Sequence, residues 1–196
     1  MLTGALVAGQ LAYGSDTVSF DVASMSGDCT VSWTKAGITF QAAAPGSTPS
    51  SFTLTGGTGT VDVAGDPIAL AVDPAKLGAA ITMTVDLRGG FTLSDGKGGV
   101  VEVSDGQAKA PISGFTYLVK SPANSMGLRM AALDYPTPPQ INPKVVSILP
   151  VKLAVDGTAD LNFTAGFAKV LNDTFGVGTA SGGQLFGSCA GRLSTA

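Results

Sequence analysis

The residues able to do chemistry are few in this chain, and they lie far apart. Its two cysteines, Cys29 and Cys189, cannot by themselves complete a four-ligand structural zinc site. An even cysteine count in a chain rich in Gly, Thr and Ser favours one disulfide in an oxidising compartment. Chain-entropy arguments put the closure of so long a loop at about 4–5 kcal/mol, less any native strain. The pairing requires an early and a late strand to be neighbours; the alternative is two unrelated buried thiols. The 196 residues contain no histidine. That removes the commonest general base and the commonest protein ligand for transition metals, and with it Ser-His-Asp and Cys-His catalysis and most zinc sites.

The remaining groups form no recognisable constellation. Serines are plentiful, but none sits in a G-x-S-x-G elbow; of the lysines (Lys35, Lys76, Lys97, Lys109, Lys120, Lys144, Lys152, Lys169), only Lys35 and Lys97 have the bare Ser-x-x-Lys spacing, after Ser32 and Ser94. The 14 carboxylates are nearly all Asp, with Glu102 the only glutamate. A glycosidase would need two of them across a cleft, and nothing in the spacing singles out a pair. Asp66, Asp73, Asp95 and Asp105 are the candidates for calcium, but no D-x-D-x-D-G loop occurs, and Asp beside Gly is ordinary turn chemistry. Asn162-Phe163-Thr164 and Asn172-Asp173-Thr174 match the glycosylation triplet, which matters only in a eukaryotic secretory pathway. The reading is of a protein that is not an enzyme, with no metal and no cofactor.

The elements that would carry these residues are strands. Apolar residues alternate with polar ones at Val18/Phe20/Val22, Val31/Trp33, Ile38/Phe40, Phe52/Leu54, Val61/Val63, Ile68/Leu70/Val72, Ile81/Met83/Val85/Leu87, Phe91/Leu93, Val101/Val103 and Phe115/Tyr117/Val119. Period-two alternation buries one face of a sheet and wets the other. Gly56-Gly57, Gly65-Asp66-Pro67, Gly89-Gly90, Asp95-Gly96 and Asp105-Gly106 fit hairpin turns between them. Residues 145–155 form a long apolar strand region, and Leu161 and Phe163 continue it. One helix is predicted, with Thr164 as N-cap, Phe167, Val170, Leu171 and Phe175 on one face, and Gly176 just past its end. The segment 182–189 reads as a last strand that delivers Cys189 to the edge of the core. Trp33, four residues after Cys29, is expected to be buried near the bridge. The run 66–74 echoes 149–157, with Pro, Leu, Ala, Val and Asp at matching offsets. This is either a pair of equivalent strands or a convergence of strand-plus-turn sequences.

The fold class is therefore all-β: an antiparallel β-sandwich or barrel-like fold with one short C-terminal helix. The chain reads as a single β-rich domain, 1–196. The alternative is two lobes, 1–134 and 144–196, joined by the proline-rich segment 135–143, whose four prolines favour extended backbone. Pro45–Ser51 reads as a surface loop. The opening Met1-to-Ala12 stretch is apolar, but it lacks a basic region and is broken by glycines. It makes a poor signal peptide and reads as the start of a mature chain. No apolar run is long enough for a membrane helix. With a net charge of −3 and 11 scattered basic residues, there is no electrostatic footprint for nucleic acid.

The segment 156–161 leading into 164–172, with Gly59-Thr60-Val61 and 68–74 earlier, is similar to parts of secreted actinobacterial β-domains of the HtaA type, found in haem-uptake proteins. The resemblance covers roughly a third of the chain. It implies an exported β-domain, and in that family haem is held by a tyrosine supported by a histidine. The histidine is missing here, as is the usual Trp-Gly opening, so the resemblance speaks for the fold and for export more than for haem. Tyr13, Tyr117, Tyr135 and the five methionines could in principle supply an axial ligand.

The function expected from these readings is a non-catalytic, secreted or cell-surface β-protein. It would act through protein–protein surfaces, as a subunit of an extracellular assembly, with other protein subunits, envelope components or a second copy of itself as partners. Two alternatives are a module that binds a small apolar ligand, lipid or haem, and an enzyme with an unrecognised carboxylate site.

Overall fold

The computed structural model describes residues 16–43, 50–111 and 113–196. Met1-to-Ala12, Tyr13 and most of the 45–51 loop lie outside them. The described chain is dominated by eleven strands: β1 Thr17–Val31, β2 Thr39–Ala42, β3 Ser51–Ala64, β4 Ile81–Arg88, β5 Phe91–Ser94, β6 Val100–Ala110, β7 Ser113–Ser121, β8 Asn124–Asp134, β9 Gln140–Ile148, β10 Val151–Phe163 and β11 Leu185–Thr195. Three helices accompany them: α1 Pro67–Leu70, α2 Pro74–Ala80 and α3 Ala165–Phe175. The strands form one antiparallel sheet that runs β6-β4-β3-β1-β11-β10-β8-β7 and returns to β6 through a β6–β7 pairing, which closes a ring. β2 extends the sheet beyond β5, and β9 pairs only with β10. Strands from both sides of segment 135–143 belong to this sheet. The fold is the all-β, barrel-like class expected, with its C-terminal helix in place. None of the helices of the described residues is long and apolar enough to cross a membrane.

The alternation does much of the work. In β4, Ile81, Val85 and Leu87 are buried and Met83 half-buried, while Thr82, Asp86 and Arg88 face water. α3 begins and ends where its caps predict. Thr164 Oγ1 accepts from the Phe167 N–H at 3.1 Å, and Gly176 at φ 106° ends the helix. Phe167, Ala168 and Leu171 are buried against the core, and Val170 and Phe175 are half-buried at its edge. The joint between β10 and β8 is narrow. Only Asn162↔Asp134 and Phe163↔Leu133 pair, and α3 packs against β8 beside it.

Several expectations are overturned: the apolar region 145–155 is not one strand but the β9–β10 hairpin, turning at Leu149-Pro150. Residues 66–74 are two helical turns, α1 and α2, and no strand passes through Ile68, Leu70 and Val72. Asp66 Oδ1 accepts from the Ile68 and Ala69 N–H groups, and Asp73 Oδ1 from Ala75 and Lys76. A proline follows each aspartate at the first helical position, where its missing N–H costs nothing. The echo between 66–74 and 149–157 is thus convergence, since the second copy is the start of β10. Asp105-Gly106 makes no hairpin either. It is a bulge inside β6, with Asp105 at φ 47°, where the register shifts between Ser104 and Gln107. Gly56-Gly57 likewise lies inside β3, at a register shift against β4. Gly89-Gly90 breaks one strand into β4 and β5, which pair with successive halves of β6. Trp33 lies beyond the end of β1 and is buried, its ring edge-on to Phe163 at 5.3 Å. β8 was not expected at all.

The bulge of β6 is matched to the core. A Cβ on Gly106 would stand 2.5 Å from Cε1 of the fully buried Tyr117. Gly106→Ala is expected to destabilise the fold by about 1–3 kcal/mol through overpacking. Urea unfolding of the purified variant measures it.

Candidate functional site: an apolar cavity beside the disulfide

β1 and β11 run antiparallel with Cys29 opposite Cys189, and the two sulfurs are bonded. The same register continues along the inner face. Met25 faces Leu193, Gly27 faces Gly191, and β10 adds Val155, Gly157 and Ala159 against Leu193, Gly191 and Cys189. On one side of the disulfide the interior is filled by rings: Phe52, Phe91, Phe163 and Phe186 contact one another at 5.1–6.3 Å. On the other side it is not filled. A cavity of about 110 Å³ lies there, walled by Met25, Gly27, Cys29, Gly157, Cys189, Gly191 and Leu193. Leu54, Met83, Val85, Ala108, Phe115, Tyr135 and Ile141 complete it.

The space exists because three neighbouring strands each place a glycine on the same row: Gly27, Gly191 and Gly157. None of the three has the positive φ that demands glycine. A Cβ added to them would meet its nearest neighbour at 3.5, 3.2 and 3.4 Å respectively. Glycine inside a strand is otherwise a cost, since it packs nothing and loses more freedom on folding. Here it leaves room. The row was illegible in the sequence, because it depends on a register between residues far apart in the chain.

Tyr135 stands at one side of the cavity, half-buried, with its ring edge-on to Phe115 at 5.8 Å. Burial pushes its hydroxyl up to about 12. Tyr117 is buried in the core with no hydrogen-bond partner for its hydroxyl among the described residues. Burial, and then Tyr135, push it above its ordinary value. Tyr13 lies outside the described residues. Haem, which the sequence resemblance implies, does not fit this cavity. The side chains lining it that could bind iron are the thioethers of Met25 and Met83 and the Tyr135 hydroxyl, there is no histidine, and the space falls far short of the roughly 300–1,000 Å³ of pockets for drug-sized ligands.

The acidic candidates are scattered and occupied. Asp66 and Asp73 cap helices. Asp95 takes the Lys97 N–H at 2.7 Å and the Gly99 N–H at 2.9 Å, which holds it below the usual carboxylate range. Asp105 accepts from Ser104 in the bulge. Elsewhere Asp86 accepts from Thr58 and Gln107, and Asp28 from Thr53. Asp156 meets the Arg192 guanidinium at 2.6 Å, which lowers the acid and raises the base. Among the described residues no three of His, Cys, Asp and Glu gather as a metal site would need. Asn162 and Asn172 donate their side-chain amides to the Gly183 and Ala180 carbonyls, tying the loop before β11 to β10 and α3.

No protein-family model matches the chain, and no curated protein matches it. Among solved structures it is similar to the C-terminal domain of HtaA from Corynebacterium glutamicum. The TM-score is 0.54 and the identity 11%, over 90% of this chain and 99% of that domain. At that identity the likeness is one of fold.

Two measurements follow from the cavity wall. Gly27→Ala and Gly157→Ala are expected to leave stability unchanged or raise it by up to about 1 kcal/mol, because the backbone already suits alanine. For Tyr135 the folded form keeps its proton above the ordinary tyrosine value of about 10 that the unfolded chain has. Its contribution is thus complete below pH 10 and is lost as pH rises through about 12. Urea midpoints between pH 9 and 12 should fall more steeply for the wild type than for Tyr135→Phe, which has no phenol to ionise on unfolding.

Proposed function

We propose that this chain is a non-catalytic domain of the cell surface or secreted space that works by contact, with protein subunits as partners in an extracellular assembly. The observation that carries the reading is the exposure of large apolar side chains at and near turns. Met126, 88% exposed, and Leu128 stand at the β7–β8 hairpin, and Val177 follows α3. Leu128 shares a cleft of about 130 Å³ with Val170, Asp173 and Thr174 of α3. Exposed apolar groups on the hairpin that borders a cleft are what an interface uses, and methionine adapts to irregular partners. The Cys29–Cys189 bridge favours an oxidising compartment, and the HtaA-like fold is compatible with an envelope role. The aspartates support a non-catalytic reading, since those with hydrogen bonds or ion pairs spend them on caps, turns, cross-strand contacts and, for Asp173, an i,i+4 pair with Lys169 within α3.

A second reading, a small apolar ligand in the cavity, is favoured by the Gly27–Gly191–Gly157 row. A dry engineered cavity of about 150 Å³ takes up benzene or xenon. The wild type is expected to take up xenon, seen by NMR, and Gly191→Leu to lose it.

For the main reading, light scattering on the purified chain at high concentration, alone and with its native neighbours, should show association that Met126→Asp reduces at least tenfold. A strict monomer that joins no native assembly would count against it.

A further inference from the structure

The far end of the sheet carries a second set of exposed aliphatic groups, distinct from the β7–β8 cleft. The β9–β10 hairpin turns at Leu149-Pro150, and its outward side chains there are Val146, Ile148 and Leu149, the last 91% exposed. α1 and α2 lie against β9. The turn that joins them lifts Val72, 88% exposed, beside Ile68. Two separate turns thus push aliphatic side chains outward at one end.

The hairpin's own turn is flanked by lysines. Residues 145–151 carry none, and Lys144 and Lys152 stand at either end of that run. Neither lysine forms an ion pair among the described residues. The carboxylate nearest in register, Asp156, is bonded to Arg192 and also feels the Lys144 charge. Asp66 and Asp73 are turned onto helix N–H groups, and Asp73 also faces Lys76 at 3.6 Å. A protruding aliphatic finger flanked by two lysines, Lys152 and Lys144, the latter within electrostatic reach of Asp156, has the chemistry of an interfacial insertion. The side chains enter the acyl region, while the ammonium groups rise to the phosphates on their methylene stems. A protein partner would need a socket for two separated knobs. The open edge of β9 is a poor template for strand addition, since Pro143 and a register shift at Val146 interrupt it.

We propose that this end, built from the α1–α2 turn and the β9–β10 hairpin, docks the domain on an anionic phospholipid bilayer. The inference rests on the contact-domain reading and names the partner of one end of it.

Flotation of the full chain with vesicles of phosphatidylcholine, with and without phosphatidylglycerol, tests it. The wild type should float with the anionic vesicles and release as salt rises. Leu149→Asp and Val72→Asp, both at exposed positions, should each reduce the bound fraction at least fivefold. Lys144→Glu with Lys152→Glu should abolish the preference for phosphatidylglycerol. Retention of the protected Cys29–Cys189 bridge and an unchanged urea midpoint would show that the variants are folded. Wild type that stays with the protein fraction at every composition overturns the proposal, as does Leu149→Asp floating as well as wild type. A dimer in solution that Leu149→Asp dissolves would assign this end to a second copy instead. In each of these cases, association through the β7–β8 cleft, read by Met126→Asp, stands or falls separately.

Discussion

The structure depends on the pairing of β1 with β11. These strands come from opposite ends of the described chain, and 160 residues separate the two cysteines that bond across them. Everything between must be laid out so that the chain returns to its start. A pairing so distant in sequence is entropically slow to find and gains little from neighbours until it is made. The covalent link removes that burden from the folded state by restricting the unfolded one. It also divides the interior. The phenylalanine cluster lies on one side of the sulfurs and the glycine row on the other, so one joint sets both where the core is dense and where it is empty.

What could be read in advance was what local physics decides. Ile81 to Leu87 alternates because one face is buried, and α3 is announced by Thr164 and Gly176, whose roles depend on residues a turn away. The two cysteines could be paired because there were only two. What could not be read depended on context. Ile68, Leu70 and Val72 alternate as cleanly as any strand, yet Asp66-Pro67 and Asp73-Pro74 cap helical turns there; the Asp-Pro pairs were the available signal, and they outweighed the alternation. β8 escaped notice because Met126 and Leu128 face solvent and its buried residues, Ala132 and Leu133, are adjacent in sequence. The bulge at Asp105 and the cavity were invisible for a shared reason. Each is defined by what lies opposite, Tyr117 in one case and two other glycines in the other.

The distribution of exposed apolar groups fits this division between a fixed frame and variable ends. Strands such as β4 and β6 follow alternation, and the most exposed apolar groups sit at or near turns: Val72 between helices, Leu149 between β9 and β10, Met126 after the β7–β8 turn. Turn residues add little to core packing, so their side chains can be chosen for what they meet outside. The frame, by contrast, has little freedom. A Cβ at Gly90, Gly114 or Gly187 would fall within 2.2 Å of a neighbouring carbonyl oxygen.

The two-pair joint between β8 and β10 has a mechanical meaning. Every other joint of the ring is a longer ladder, and the one between β1 and β11 is covalently riveted. Under load or thermal fluctuation the ring therefore has a preferred place to part, at the seam where Asn162 and Phe163 meet Asp134 and Leu133. α3, packed against β8, lies beside that seam, so the thinnest join of the ring is backed by a helix and not by a longer ladder.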